Sequence, residues 1–306
     1  MLNQIIVKIL PYLPEKFVWI FSKKYVSGKT KEEALQVCKD LNAQGIKFTL
    51  DILGEFIKSL DEAEKNKKEY LDLIEYIQKF SLDGNFSLKP TMFGLLLNEN
   101  ICYNHIREIV QKAVSFNNFI RIDMEDSQCT DKEISLFLKL KKEFPYNVGL
   151  VLQAYLKRTK NDIEMMMDIN NKNNPLNFRL CKGIYIEPEQ ISFKKYKEIN
   201  DSYIINLDFM LRNNIYVAIA THDKTLVEYA YQLITKYNVP KNMYEFQMLF
   251  GVTLKLRSSI IEKGHVMRVY VPYGTKWFSY SIRRLKENPK MAGMILKAIL
   301  FKNHGK

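Results

Sequence analysis

The stretch that decides the fold is "FIRIDMED", residues 119–126. Side chains alternate faces along an extended chain, so Arg121, Asp123 and Glu125 share one face, opposite Ile120, Ile122 and Met124. One such strand could sit at any protein surface. The pattern recurs, however: Ser87 and Lys89 oppose Phe86 and Leu88, and Glu245 and Gln247 oppose Phe246 and Met248. Working outward, short β-rich runs occupy residues 46–53, 85–90, 118–124, 147–155, 177–183, 215–221, 244–250 and 267–273. Amphipathic helical patterns separate them, among them "TDKEISLFLKLKKEF" with Ile134, Phe137 and Leu138 on one side.

Eight strands alternating with helices over about 260 residues match the size and grammar of an α/β fold of the (β/α)8 TIM-like barrel class. A doubly wound sheet is the competitor, but the chain contains no G-x-G, so neither a dinucleotide fingerprint nor a G-x-S-x-G elbow is available. "SGKT" at 27–30 ends like a P-loop but has Lys23 where its first glycine belongs. Thr30 with Glu33, and Thr130 with Glu133, read as capping boxes at helix starts. The expected organisation is an N-terminal helical arm, 1–44, with Trp19 packed on the barrel, and a catalytic barrel domain, 45–306.

In a barrel, alternate strand residues point inward and active sites lie at the C-terminal strand ends. Lys89, Asp123, Gln153, Lys182, His222, Gln247 and Tyr270 fall near those ends. Taken singly, Lys89 and Asp123 read as a structural ion pair and His222 as a core histidine. Taken together, so many polar groups at one rim require one another or a ligand. Cations, amides and one imidazole suit a large polar or anionic cofactor such as a flavin.

Composition excludes other classes. The net charge of +12 raises nucleic acid or an anionic membrane as partners, yet the lysines alternate with acids along helices and no basic-aromatic motif appears. Nucleic-acid binding is not expected. Four scattered cysteines without a C-x-x-C pair, and histidines without a second ligand at metal spacing, predict no disulfide framework and no metal. No apolar run is long enough to span a bilayer, and prolines interrupt the opening "MLNQIIVKILPYLPEK", so no signal peptide is expected.

Seven segments, in order, resemble the strand-end motifs of the proline dehydrogenase family: "FTLDILGE", "RIDMEDS", "VGLVLQAYLKRT", "RLCKGIYIEP", "VAIATHD", "YEFQMLFGV" and "VYVPYGTKWFSYSIRRLKENP". They run from about residue 46 to 289. The resemblance implies a distorted (β/α)8 barrel carrying FAD. The implied activity is oxidation of L-proline to Δ1-pyrroline-5-carboxylate by hydride transfer to the flavin, with electrons passed to a quinone. A cytoplasmic protein with peripheral contact at the inner face of the membrane is the matching expectation.

By the same resemblance, Arg283 and Arg284 hold the substrate carboxylate, with Lys89 beside it. Tyr185, Leu249, Tyr270 and Tyr280 surround the proline ring, and Asp123 joins them as a catalytic residue. Met124, Gln153, Arg179, Lys182, Gly183, Ile184, Thr221, His222 and Gln247 are assigned to FAD. Arg179 is the second catalytic assignment, a fixed cation near the reacting nitrogen of the ring. Glu55 is a gate that pairs with Arg283 or Lys89 in the empty site. Ile184, Ile186 and Pro90 depart from the family pattern and bear on flavin and substrate fit. A barrel flavoenzyme for hydroxyproline or another cyclic amine is the nearest rival, which a bulky Tyr280 beside the ring disfavours. A basic membrane-surface protein is the non-enzymatic rival, resting on the tail "PKMAGMILKAILFKNHGK" at 289–306.

Overall fold

The computed structural model describes residues 15–171 and 175–287, apart from the side chains of residues 16, 17, 20, 21 and 283–287. Helices α1 (Glu15–Ser22) and α2 (Lys31–Ala43) lead into strand β1 (Lys47–Ile52). Strand and helix then alternate: α3 (Leu60–Gln78), β2 (Gly84–Leu88), α4 (Glu99–Ser115), β3 (Ile120–Ile122), α5 (Thr130–Glu143) and β4 (Val148–Gln153). They continue through α6 (Thr159–Met165), β5 (Asn177–Cys181), α7 (Tyr196–Arg212), β6 (Tyr216–Ala220), α8 (Lys224–Lys236) and β7 (Tyr244–Leu249). The described chain closes with α9 (Leu254–Glu262), β8 (Met267–Tyr273) and α10 (Trp277–Glu287). The strands form one closed barrel in sequence order, β8 pairing with β1, and every pairing is parallel.

Alternation places the hydrophobic core outside the barrel wall. Phe48, Leu50, Phe86, Leu88, Ile120, Ile122, Leu150, Phe178, Ile219 and Val269 are buried between strands and helices. The helices are pinned as well as packed. Tyr70 of α3 donates its hydroxyl to Ser87 O at 2.8 Å and accepts from Ile52 N at 3.2 Å, tying that helix to the first two strands. Inside the wall many residues are polar and pair with one another: Thr49 and Ser87 hydroxyls lie 2.8 Å apart, and Arg121 Nη1 donates to Asn177 O at 2.8 Å. Gly149 makes the second contact possible, since a Cβ there would stand 2.4 Å from Arg121 Nη1.

The capping box at Thr30 and Glu33 is present at the start of α2. The one expected at Thr130 and Glu133 is not. Cys129 occupies the cap of α5 in a helical conformation with no side-chain bond, and Glu133 turns inward. There it accepts the Glu125 backbone N–H at 3.0 Å, satisfying a buried donor in the loop after β3. Trp19 packs on Trp277, ring centroids 4.7 Å apart, so α1 rests on the segment after β8.

Candidate active site

A cavity of about 640 Å³ opens at the C-terminal ends of the strands. It is lined by Lys89, Asp123, Met124, Arg179, Lys182, Gly183, Ile184, Tyr185, Thr221, His222, Gln247, Leu249, Tyr270 and Tyr280, fourteen of the residues picked out from the sequence. Their convergence follows from parallel strands of one barrel delivering their last inward residues to one rim.

Arg179 is held by β2, β7 and the segment just after β3. Its Nη1 donates to Asp123 Oδ1 at 2.7 Å, Nη2 to Ser87 Oγ at 2.9 Å, and Nε to Gln247 Oε1 at 2.5 Å. A guanidinium has five N–H groups, so two stay available beyond these three partners. Asp123 accepts a second bond from Tyr270 OH at 2.8 Å, and the Arg179 guanidinium lies 5.2 Å from the Tyr270 ring. Burial, together with Asp123 and Asp51, keeps the Tyr270 hydroxyl protonated well above its ordinary value.

Lys89 does not pair with Asp123, as the simplest reading of the two charges suggests. It donates to both Asp51 oxygens at 2.8 Å and to Tyr270 OH at 3.3 Å. Burial works against the ammonium, but Asp51 and Asp123 outweigh it and raise the Lys89 pKa, with a smaller contribution from Glu55. Burial likewise pushes the Asp51 carboxyl up to about 6, Lys89 opposing it.

On the other side, Lys182 Nζ lies 2.7 Å from Asp223 Oδ2, which also accepts from Asn200 at 3.1 Å and from the Tyr196 hydroxyl. Burial opposes ionisation of Asp223, yet Lys182, Tyr196 and Asn200 hold it well below the usual carboxylate range. His222 Nε2 accepts the Leu249 N–H at 2.9 Å, which puts the proton of a neutral imidazole on Nδ1. Gly183 sits at φ +104, with Tyr155 beneath it where a Cβ would be only 2.0 Å from the ring.

Gln153 lies just behind the wall. Its Nε2 donates to Met124 O and Glu125 O, both at 2.8 Å, while its buried Oε1 has no partner among the described residues. Glu55 is half-buried on the loop after β1, outside the lining, and Phe56 N donates to Thr91 Oγ1 at 2.8 Å. The side chains of Arg283 and Arg284 lie outside the described residues, although the helix α10 that carries them begins beside the cavity with Tyr280 facing it. Of the departures, Ile186 is 96% exposed and touches none of this, whereas Ile184 lines the cavity. Pro90 opens a short 3-10 turn after an extended Lys89.

Sequence reasoning gave no role in the site to Asp51, Ser87, Glu125 or Asp223. The signal was present for three of them: Asp51, Ser87 and Glu125 share the inward parity of Thr49, Lys89 and Asp123. Asp223 instead serves as the N-cap of α8, accepting Thr225 N at 2.9 Å, which hides its second role. Among the described residues no group of His, Cys, Asp or Glu could hold a metal, and no helix is long and apolar enough to cross a membrane.

The family model described as "Proline dehydrogenase" matches residues 34–296. Proline dehydrogenase 1 of Bacillus subtilis (strain 168) is 37% identical over 283 residues, covering 92% of this chain and 91% of that protein. Proline dehydrogenase of Deinococcus radiodurans is 30% identical over 292 residues, covering 94% and 93%. Among solved structures, proline utilization A (PutA) from Bdellovibrio bacteriovorus, inactivated by N-propargylglycine, superposes with a TM-score of 0.82 at 27% identity. That match covers 88% of this chain and 32% of the larger one.

Proposed function

This chain belongs to the proline dehydrogenase family, and on that premise we propose that it oxidises L-proline to Δ1-pyrroline-5-carboxylate with FAD as hydride acceptor and a quinone as the onward acceptor. The observation that carries the reading is Arg179, fixed by Asp123, Ser87 and Gln247 at the wall of the cavity with two N–H groups still available.

The cavity fits a flavin. Val151, Ala220, Met248 and Leu249 supply apolar wall for a flat ring, and Lys182, Thr221 and His222 gather at one side, where a phosphate chain needs a cation and hydrogen-bond partners. The orphaned Gln153 Oε1 is a buried acceptor of the kind a ring imide N–H requires. FAD, when bound, would supply an acceptor for the hydride, which carries both electrons of the oxidation. Lys182, Gly183, Ile184, Thr221, His222, Gln247, Met124 and Gln153 would hold it, and Arg179 would present a fixed cation to the ring as negative charge develops there.

Lys89, with Arg283 and Arg284, would grip the proline carboxylate. Tyr185, Leu249, Tyr270 and Tyr280 would wall the ring and exclude water, and Asp123 would keep Arg179 and Tyr270 in register with it. Glu55 would close the gate. The amine must lose its ammonium proton to water before its lone pair can form the C=N bond while the C–H pair departs as hydride. Orientation and electrostatics do the catalytic work, with no covalent step on the protein. Tyr280 is 6% exposed and lines the cavity, so a ring hydroxyl would meet its bulk, which favours proline over hydroxyproline. The proposed setting is the cytoplasm, at the inner face of the membrane where a quinone dissolves.

Steady-state oxidation of L-proline with an artificial dye acceptor, and identification of the cyclic imine formed, tests the reading. Proline-dependent dye reduction at a rate no other cyclic amine matches is expected; an equal or faster rate with trans-4-hydroxy-L-proline would move the assignment to the rival substrate.

A further inference from the structure

Gln247 carries an amide with two chemically opposite ends, and the barrel interior decides which end meets the cavity. Its Nε2 donates to Glu245 Oε1 at 2.6 Å, and its Oε1 accepts from Arg179 Nε at 2.5 Å. An ionised carboxylate offers acceptors alone. Glu245 therefore draws the NH2 end toward itself, which leaves the carbonyl end facing Arg179. Reversing the amide would set two carbonyl-type acceptors against each other below and two N–H donors against each other above, all in a buried layer.

Glu245 is itself fixed. Arg268 Nε donates to the same Oε1 at 2.7 Å, and Arg268 Nη1 donates to Phe48 O of β1 at 2.8 Å. Burial alone would raise the Glu245 pKa, but Arg268 prevails and lowers it, so the group remains a carboxylate. Both residues are buried, at 3% and 8% exposure, and neither lines the cavity. The chain Arg268–Glu245–Gln247–Arg179–Asp123 thus runs from the barrel interior to the reactive wall with donors and acceptors alternating correctly at each joint.

We propose that Glu245 and Arg268 are positioning residues for the redox centre, acting by fixing the orientation of the Gln247 amide and, through it, the aim of Arg179. The inference rests on the reading above that Arg179 faces a bound flavin. It assigns the acceptor oxygen of Glu245, rather than its charge, as the feature that matters at Gln247.

The test uses the full-length holoprotein and two readouts, the flavin midpoint potential by dye equilibration and the rate of flavin reduction at saturating L-proline. Glu245→Gln keeps an acceptor oxygen where Oε1 lies; Glu245→Met combined with Arg268→Met removes it together with the arginine that pairs with it. The first variant should stay within roughly twofold of the parent, and the second should shift to a more negative potential and reduce roughly tenfold more slowly. The KM for proline should stay within about twofold in both, since neither residue touches the substrate region. Glu245→Leu combined with Arg268→Met, which likewise leaves no acceptor at that point, gives the same comparison should the first double variant not accumulate.

A double variant with full flavin content and the parent potential would overturn the inference, as would a Glu245→Gln variant that falls as far as the double one. Arg179→Met is measured alongside. If it lowers the potential while the Glu245 variants do not, only the positioning role fails. If it leaves the potential unchanged, the placement of Arg179 at the flavin fails, and the positioning role with it.

Discussion

The Lys89 ammonium is chelated by Asp51, with both carboxylate oxygens at 2.8 Å and the pair buried in the barrel. A cation held this way keeps its place without a ligand, so if Lys89 receives the substrate carboxylate as proposed, it offers a preformed positive charge rather than a mobile side chain. Asp51→Asn takes away a charge and one acceptor, leaving Lys89 incompletely paired. Loss of about 3 kcal/mol of stability is expected, with a raised KM for proline. Asp51→Asn combined with Lys89→Met should regain much of the stability without regaining proline affinity. Denaturant unfolding and steady-state kinetics of the three variants check this, and strictly additive stability losses would contradict it.

Asp123 joins Arg179 to Tyr270, 2.7 and 2.8 Å away. Asp123→Ala frees both, and flavin reduction by proline should slow by roughly 10- to 100-fold in protein that still holds its flavin. Stopped-flow absorbance gives the rate. An unchanged rate would mean that the orientation of Arg179 is immaterial.

Gly183 takes a left-handed backbone at φ +104 with the Tyr155 ring 2.0 Å from where a Cβ would sit. Gly183→Ala must displace the segment that bears Lys182 and Ile184. The expected result is protein that folds but purifies with little flavin, measured as the ratio of flavin to protein absorbance. Full flavin content would show that this segment does not shape the cofactor site.

The strand pattern was legible in the sequence for a physical reason. Each barrel strand buries its apolar face against helices and its polar face inside, so alternation in residues such as 119–126 marks both wall and rim. The partners within the rim were less legible. Asp51 carries the same parity as Thr49, but nothing in one strand says that Lys89 of the next will choose it over Asp123; register decides that. Glu133 shows the same limit. Its spacing from Thr130 fits a capping box, and the requirement of the Glu125 N–H overrides it. Local spacing reports what a residue can do, and the tertiary neighbours select among those options.

Arg284→Met tests the substrate clamp. If Arg283 and Arg284 hold the carboxylate as proposed, losing one charge-assisted contact should raise the KM for proline roughly 10- to 100-fold while the protein keeps its flavin. Unchanged proline kinetics would place the clamp elsewhere.

Glu125 and Glu133 make stability depend on pH. Burial raises the Glu125 carboxyl from 4.5 to about 7, and burial with Glu125 beside it raises Glu133 well above its ordinary value. The folded protein then holds more protons than the unfolded chain between those limits. The stability Glu125 contributes is complete below pH 4.5 and is lost as pH rises through about 7, and Glu133 acts in the same direction. Asp223 acts in the opposite sense, its contribution vanishing in acid below its ordinary value of 3.8. Glu125→Gln should flatten the fall in Tm between pH 4.5 and about 7. An identical pH profile in the variant would exclude Glu125 as its source.

The most direct measurement is an anaerobic titration of the purified, flavin-containing protein with L-proline, following the oxidised flavin absorption band, with trans-4-hydroxy-L-proline in parallel. Proline should bleach the band, and faster than hydroxyproline does. A band that proline leaves unchanged would contradict the proposed activity.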